Sequence, residues 1–437
     1  MLEPTSRGLA QAIGRAVSDG ALAPGDRLPP IRVVARELML SPTTVSAAWS
    51  LLNRSAVIRT DGRRGTVVAP EVTAGPNRYR LALARSSDFV IDLSTGLPDV
   101  RLLPDLTVAL SQLRTNHPPE SYLDDPVVAE LESFLRESWP GPVDAITIVD
   151  GAMDALDLVA SALLAYGDRV AVETPCFPPL LDRLEQAGVE VLPVRLDDDG
   201  PLVSSVAAAA GAGAKALFLQ PRAQNPTGAA VTTARAAQIA AVLKSADVLV
   251  VENDSAGAVA SQPLVSMAVA LPQRTVHIRS YSKSHGPDLR LAAVGGPRRL
   301  IESMVERRRL GQGWTSRLLQ RLLLGLLTTP ASIAQVERAR TEYARRRRLL
   351  VDALSERGIR VGGKDGVNLW LPVVDESAAL VRLASQGIGV AAGAPFGIGA
   401  SVGAFVRVTC GLLADGHADV ATQLAVAATR PASGAPR

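Results

Sequence analysis

Apolar positions in the first seventy residues follow helical spacing and then switch to strand spacing. In residues 5–20, Leu9, Ile13 and Val17 recur every four positions, with Thr5 placed to cap the start and Gly20 to close the end. The stretch PIRVVAREL sets Ile31, Val34, Ala35 and Leu38 on one face, and after the short break MLSP a third helix, TTVSAAWSLLNR, is predicted. Ser41 followed by Pro42 marks its start. The Ser oxygen accepts an orphan amide, and proline at the first helical position forfeits no hydrogen bond. AVIRT and TVVAP then read as two short strands joined by the glycine-bearing turn DGRRG.

Periodicity lapses between residues 71 and 89, where Pro, Gly and polar residues interrupt it, so this segment reads as a linker. From Asp144 onward, short apolar runs (AITIV, RVAVE, VEVLPV, KALFLQ, DVLVVE, TVHIRS, AAVGG) alternate with helix-like stretches such as ALDLVASALLAYG and TARAAQIAAVLKS. Alternation of this kind predicts a mainly parallel sheet covered by helices. After Trp314 comes a long helical region broken by Pro330, then a smaller α+β segment. The Ala-rich run SSVAAAAGAGAKA shows compositional bias, and the tail ATRPASGAPR reads as frayed. The expected division is a helix-and-hairpin unit over residues 1–70, a linker over 71–89 and an α/β domain over 90–430.

Composition narrows the classes. A chain of 437 residues, 47% hydrophobic and 20% charged, has more apolar surface than one core needs and is not a disordered polymer. Two cysteines, Cys176 and Cys410, cannot form a disulfide framework, and the four histidines lack ligand spacing, so no metal site is expected. With neither a basic-then-apolar leader nor an apolar run of about 18 residues, a cytoplasmic chain with no membrane partner is expected. The net charge is +3, while residues 1–70 alone hold nine Arg against five acidic residues. The positive excess therefore sits in the first unit.

That unit has the outline of a winged helix-turn-helix. A recognition helix presents its first turn to the major groove, which makes Ser41, Thr43, Thr44 and Ser46 the candidate base readers. Arg32 before it, and Arg63 and Arg64 at the hairpin tip, are candidates for phosphate or minor-groove contacts. A small helical domain with a solvated Arg surface gives the same element pattern; the hairpin and the local charge favour duplex DNA. The runs Arg307–Arg309 and Arg345–Arg348 read instead as solvated helix faces with some interface ion pairs.

Of the 46 basic residues only four are lysines: Lys215, Lys244, Lys283 and Lys364. Chemistry that needs a primary amine has few places to occur. Lys283 lies in RSYSKSHGPDLRLAAVGG among Ser280, Ser282 and Arg290, suited to holding an anionic cofactor beside a Schiff-base amine. The other three read as solvated surface lysines. Arg290 offers a guanidinium fork for a phosphate, or else a surface ion pair. Upstream, LQPRAQNPTG sets Asn225 just past a predicted strand, where α/β sites lie, although Asn-Pro-Thr-Gly alone is also a plain turn. DGAMDALD opens a helix whose free amides at Gly151, Ala152 and Met153 suit a phosphate. Phe177, in ETPCFPP, either stacks on an aromatic cofactor or packs in the core.

With Lys283, Asn225, Arg290 and the Gly151 turn in this arrangement, the chain resembles the fold type I aminotransferases, which use pyridoxal 5′-phosphate (PLP). Together with the winged helix-turn-helix it resembles the MocR subfamily of GntR-type regulators over essentially its whole length. The resemblance implies an N-terminal winged helix-turn-helix (α+β) joined to an α/β fold type I aminotransferase-like domain with a smaller C-terminal α+β subdomain. It implies Lys283 as the Schiff-base lysine, Asn225 beside the cofactor's phenolic oxygen, Phe177 on its ring, and Ser280 and Arg290 at its phosphate. Arg407, in FVRVTCG, matches the family's arginine for a substrate or effector carboxylate. One departure stands out. Where relatives read Glu-Asp-Asp followed by Tyr or His, this chain reads Glu252-Asn253-Asp254-Ser255, so Asn253 takes the place of the acid facing the pyridine nitrogen. A neutral amide does not hold that nitrogen's proton by charge, and Ser255 replaces an aromatic or imidazole group. Asp254 can substitute only if the register differs by one.

The expected function is a homodimeric transcription regulator that binds an operator on double-stranded DNA and senses PLP or a small amino compound. An active aminotransferase with an appended DNA module is the rival reading, and a cofactor-free dimerisation scaffold a third.

Overall fold

The computed structural model describes residues 4–18, 21–23, 25–54, 57–61, 65–68, 78–83, 89–113, 121–399 and 403–429. These form two compact units, one comprising residues 97–347 and 362–367, the other residues 1–96, 348–361 and 368–437.

The second of these begins with helices α1 (Ser6–Ser18), α2 (Ile31–Glu37) and α3 (Pro42–Arg54), followed by strands β1 (Ile58–Asp61) and β2 (Gly65–Val68). As the spacing predicts, Thr5 caps α1, its hydroxyl accepting the Gly8 N–H at 3.0 Å. Ser41 caps α3, accepting the Thr44 N–H at 3.0 Å. The tight turn between α2 and α3 is made at Met39, which takes a left-handed φ of 52° and is 93% exposed. β1 and β2 pair antiparallel, Ile58 opposite Val68. Leu9, Val45, Trp49, Leu52 and Ile58 close the small core. Gly20 and the hairpin tip with Arg63 and Arg64 lie outside the described residues.

The larger unit is built on eight strands: β3 (Ala145–Val149), β4 (Arg169–Thr174), β5 (Glu190–Asp197), β6 (Gly200–Pro201), β7 (Ala216–Leu219), β8 (Leu249–Asp254), β9 (Thr275–Ser280) and β10 (Ala292–Gly296). Their order is β3-β10-β9-β8-β7-β4-β5-β6, and only β10 and β6 run against the rest. The near-continuous apolar runs of β4, β7 and β8 have this physical reason: helices cover both faces of the sheet, so no face alternates to water. Helix α4 (Ala152–Leu163) follows β3, α5 (Pro178–Gln186) follows β4, and α6 (Thr233–Lys244) precedes β8. The Ala-rich run, which reads only as bias in the sequence, is itself a helix, Val203–Gly211, because burial of Val206 and Ala209 against the sheet stabilises it. Pro330 breaks the long helical region by opening the helix Pro330–Ser355.

The arginine runs depart from the solvated faces expected of them. Arg346 is buried and pairs with Asp99 at 2.8 Å and Glu342 at 2.8 Å, and buried Arg347 donates to the Gly362 carbonyl. Arg308 is likewise buried, held by Asp150 at 2.8 Å and Asp154 at 3.2 Å. Consecutive helical positions point around the whole circumference, so part of any four-residue run must face inward, and here acids meet it.

The C-terminal subdomain belongs to the same unit as α1–α3. It has strands β11 (Leu369–Pro372), β12 (Ala391–Ala392) and β13 (Phe405–Val408) in the antiparallel order β11-β13-β12, with helix α7 (Glu376–Ser385) packed on them.

Candidate functional site

Five of the predicted residues come to one edge of the large sheet because β3, β4, β7, β8 and β9 all run the same way. Gly151 lies two residues past β3, Phe177 three past β4, Asn225 six past β7, Asn253 in the last turn of β8, and Lys283 three past β9. This is the carboxyl edge, where the chain leaves each strand and backbone groups are free to meet a ligand.

At β3 the sharp turn into α4 requires Gly151, whose φ is 95°. A Cβ there would stand 3.7 Å from the Arg290 guanidinium, an ordinary contact, so the backbone angle and not space calls for the glycine, and Arg290 lies against the helix start. Arg290 is itself left-handed at φ 51°, is exposed, and donates to the Asp150 carbonyl at 3.4 Å. Ala152 and Met153 form the first turn of α4, where amides lack helical partners. Ser280, the buried last residue of β9, accepts the Ser282 N–H at 3.3 Å through its hydroxyl. Lys283 is half-buried in the turn that follows. Beside it, burial pushes the His285 imidazole down to about 4, so the ring is neutral and bonds the Ser284 hydroxyl at 2.9 Å.

A cavity at this edge is lined by Phe177, Cys176, Gln220 and Asn253 above the apolar Leu156, Val172, Phe218 and Val251. The alternation of β8 divides its polar residues. Glu252 turns away to His277 Nδ1 at 2.9 Å and the Ser266 hydroxyl at 2.6 Å. Asp254 is wholly buried and takes Arg222 on both oxygens, at 3.1 and 2.8 Å. Asn253, between them, faces the cavity, and its carboxamide oxygen has no hydrogen-bond partner among the described residues. Thus of the two neighbours it is Asn253, not Asp254, that faces the cavity, alongside Gln220 and Glu173.

Sequence reasoning missed the support beneath Asn225 and Ser255. The Gln220 side-chain oxygen accepts the Ser255 hydroxyl at 3.1 Å and the Asn225 N–H at 3.3 Å. The Gln220 backbone N–H in turn donates to the buried Glu173 carboxylate at 3.0 Å. A lone acid closing the apolar run RVAVE was the available signal, since such a residue is buried only with a partner.

Arg407 lies in the other compact unit, on β13, and is 1% exposed. Its guanidinium donates to the Ser94 carbonyl and stands 5.1 Å from the Phe396 ring centroid. A Cβ on Gly96 would come within 3.2 Å of it, so the missing side chain keeps this approach open. In the winged helix, Arg32, Ser41, Thr43 and Ser46 are exposed and Thr44 is half-buried. Ser41 is occupied in capping and its hydroxyl also bonds those of Thr43 and Thr44, each at 2.7 Å, so Ser46 is the freer hydroxyl of the α3 surface.

These residues fit PLP. The Gly151 turn with Arg290 offers cation and amides to a phosphate, the Asn253 carboxamide, its oxygen unpartnered among the described residues, suits a ring nitrogen, Phe177 offers a ring face, and Lys283 is the amine at the same sheet edge.

The sequence matches the family "Aminotransferase class I and II" over residues 88–423 and "Bacterial regulatory proteins, gntR family" over residues 5–68. It is 35% identical over 404 residues to the "Vitamin B6 salvage pathway transcriptional repressor PtsJ" of Salmonella typhimurium, covering 91% of this chain and 92% of that one. It is 26% identical over 370 residues to the "HTH-type pyridoxine biosynthesis transcriptional regulator PdxR" of Corynebacterium glutamicum, covering 81% and 80%. Among solved structures, the kynurenine aminotransferase of Pyrococcus horikoshii superposes with a TM-score of 0.70 at 22% identity, over 81% of this chain and 95% of that one. The chain therefore belongs to the MocR subfamily of GntR-type transcription regulators, which join a DNA-binding winged helix-turn-helix to an aminotransferase-fold domain.

Proposed function

We propose that this regulator is a cytoplasmic homodimer that senses PLP: loading of the cofactor site changes how the two winged helices engage an operator. The observation that carries the reading is the neutral Asn253 lining a cavity at the sheet edge to which Lys283, Arg290 and the Gly151 turn also come. Binding groups are kept, while the charge that would hold a proton on the ring nitrogen is not. When bound, PLP supplies a carbonyl for the Lys283 amine and a phosphate for the Gly151 amides and Arg290. Asn225 and Phe177 then orient the ring, and the buried Ser280 hydroxyl with Ser282 closes the phosphate side. Two relatives, a vitamin B6 salvage repressor and a pyridoxine biosynthesis regulator, support PLP itself as the signal. Buried Arg407, with Gly96 and Phe396 beside it, favours a second input, the carboxylate of an amino compound.

Ligand and DNA affinities are linked. If PLP changes operator affinity by some factor, the operator changes PLP affinity by the same factor. Titrating operator DNA into the PLP-free and PLP-loaded chain reads this directly. A change in affinity or footprint, lost in Lys283→Ala, is expected. Identical binding in both forms overturns the sensor, and rapid steady-state amino transfer favours the enzyme.

A further inference from the structure

Helix α7 touches two functional parts of its unit, one from its middle and one from its first residue. Val381, 0% exposed, is part of the winged-helix core with Leu9, Val45 and Trp49, and both α1 and α3 pack against α7. At the helix start, the Glu376 carboxylate accepts the Ala394 N–H at 3.1 Å. Ala394 opens the turn Ala394–Phe396, and the Phe396 ring covers the Arg407 guanidinium. Five residues separate Glu376 from Val381, about 7.5 Å along a helix. Between them Ala379 and Leu380 are locked in the C-terminal core, so the helix moves as one rod.

We propose that α7 is a mechanical link between the Arg407 pocket and the DNA reader of its own unit, so that ordering the Ala394–Phe396 turn holds α1 and α3 in a fixed setting. The contact is not an autoinhibitory cover. Thr43 and Ser46 remain exposed while α7 is docked, so the groove-facing surface of α3 stays open. A packed rod transmits a displacement because neither end can repack independently. The use of this link in regulation rests on the effector reading above; its existence does not.

The test is hydrogen exchange on the full-length chain, without DNA or PLP. Glu376→Ala is expected to speed exchange several-fold in the Ala394–Phe396 turn and also in α1 and α3, with α6 unchanged as a control. Glu376→Gln, which keeps an acceptor oxygen, restores protection at both ends. Val381→Ala, which removes buried methyl groups, loosens both ends by about tenfold through local opening. Loosening confined to the turn in Glu376→Ala, or to the winged helix in Val381→Ala, overturns the link. If Val381→Ala fails to fold, the Glu376 pair still decides. PLP-independent DNA binding with both protections coupled counts against the sensor and leaves the link standing.

Discussion

Replacing Glu173 by Gln isolates one buried proton. Glu173 is 2% exposed at the end of β4, and one carboxylate oxygen accepts the Gln220 N–H at 3.0 Å and the Gln224 amide at 3.5 Å. The other oxygen has no hydrogen-bond partner among the described residues. Burial dominates these hydrogen bonds and pushes the carboxyl from 4.5 up to about 8. The sign follows from which state holds the proton. Between pH 4.5 and 8 the unfolded chain has released it and the folded chain has not, so stability falls as pH rises through this window. At about 1.36 kcal/mol per unit, the loss is on the order of 5 kcal/mol, complete above the folded-state value. Glu173→Gln keeps an accepting oxygen and cannot ionise. Urea unfolding of the full chain followed by circular dichroism from pH 5 to 9 reads the difference. Near pH 5 the two proteins should differ little, and by pH 8.5 the variant should be the more stable by on the order of 5 kcal/mol. Because Gln220 also holds Asn225, any change in the wild type's PLP affinity should come only as the folded carboxyl ionises, near pH 8. Parallel stability profiles for the two proteins would refute the argument.

Four further outcomes are expected. Lys283→Ala should remove the visible absorption band of bound PLP, and an unchanged band would assign the amine elsewhere. Asn253→Asp should raise amino-transfer turnover at least tenfold, measured with amino-acid donors in single-turnover mixing; no gain would mean that position 253 does not set ring protonation. Gly96→Ala forces a side chain onto a residue at φ 67° and within 3.2 Å of the Arg407 guanidinium, so it should destabilise by about 1–2 kcal/mol in denaturant unfolding. Arg32→Ala should weaken binding to all duplexes alike and lower the salt slope by roughly one unit, whereas a base-specific change at constant slope would make Arg32 a reader.

Much of this was legible in the sequence for physical reasons that differ from element to element. The winged helix announced itself through local signals, such as Ser41-Pro42 at the start of α3, whose geometry needs no distant partner. The parallel sheet was legible because both its faces are covered, which leaves apolar runs rather than alternation. What stayed hidden was long-range pairing. Nothing near Arg346 announces Asp99, 247 positions away, and without that partner a run of arginines reads as a solvated surface. Gln220 likewise lies in an unremarkable strand end, and only the fold brings Glu173, Asn225 and Ser255 around it. Gly96 gave no signal at all, because its importance is the space it leaves beside Arg407.

The three polar residues at the end of β8 connect fold to regulation. Glu252 and Asp254 are buried acids with full sets of partners, His277, Ser266 and the Met267 amide for one, Arg222 and the Gly257 amide for the other. Asn253 has none on its carboxamide oxygen. A carboxylate at that position would be a buried charge lacking a counter-ion whenever the cofactor is absent, and an isolated buried charge costs several kcal/mol more than an unpaired amide. An enzyme that keeps its cofactor through each turnover never exposes that cost. A regulator that must fold and bind DNA in both cofactor-free and loaded states does, and a neutral amide narrows the stability gap between them. On the sensor reading, the neutral amide therefore stabilises the empty cavity relative to the loaded one and lets PLP leave more readily, as a sensor of PLP concentration requires.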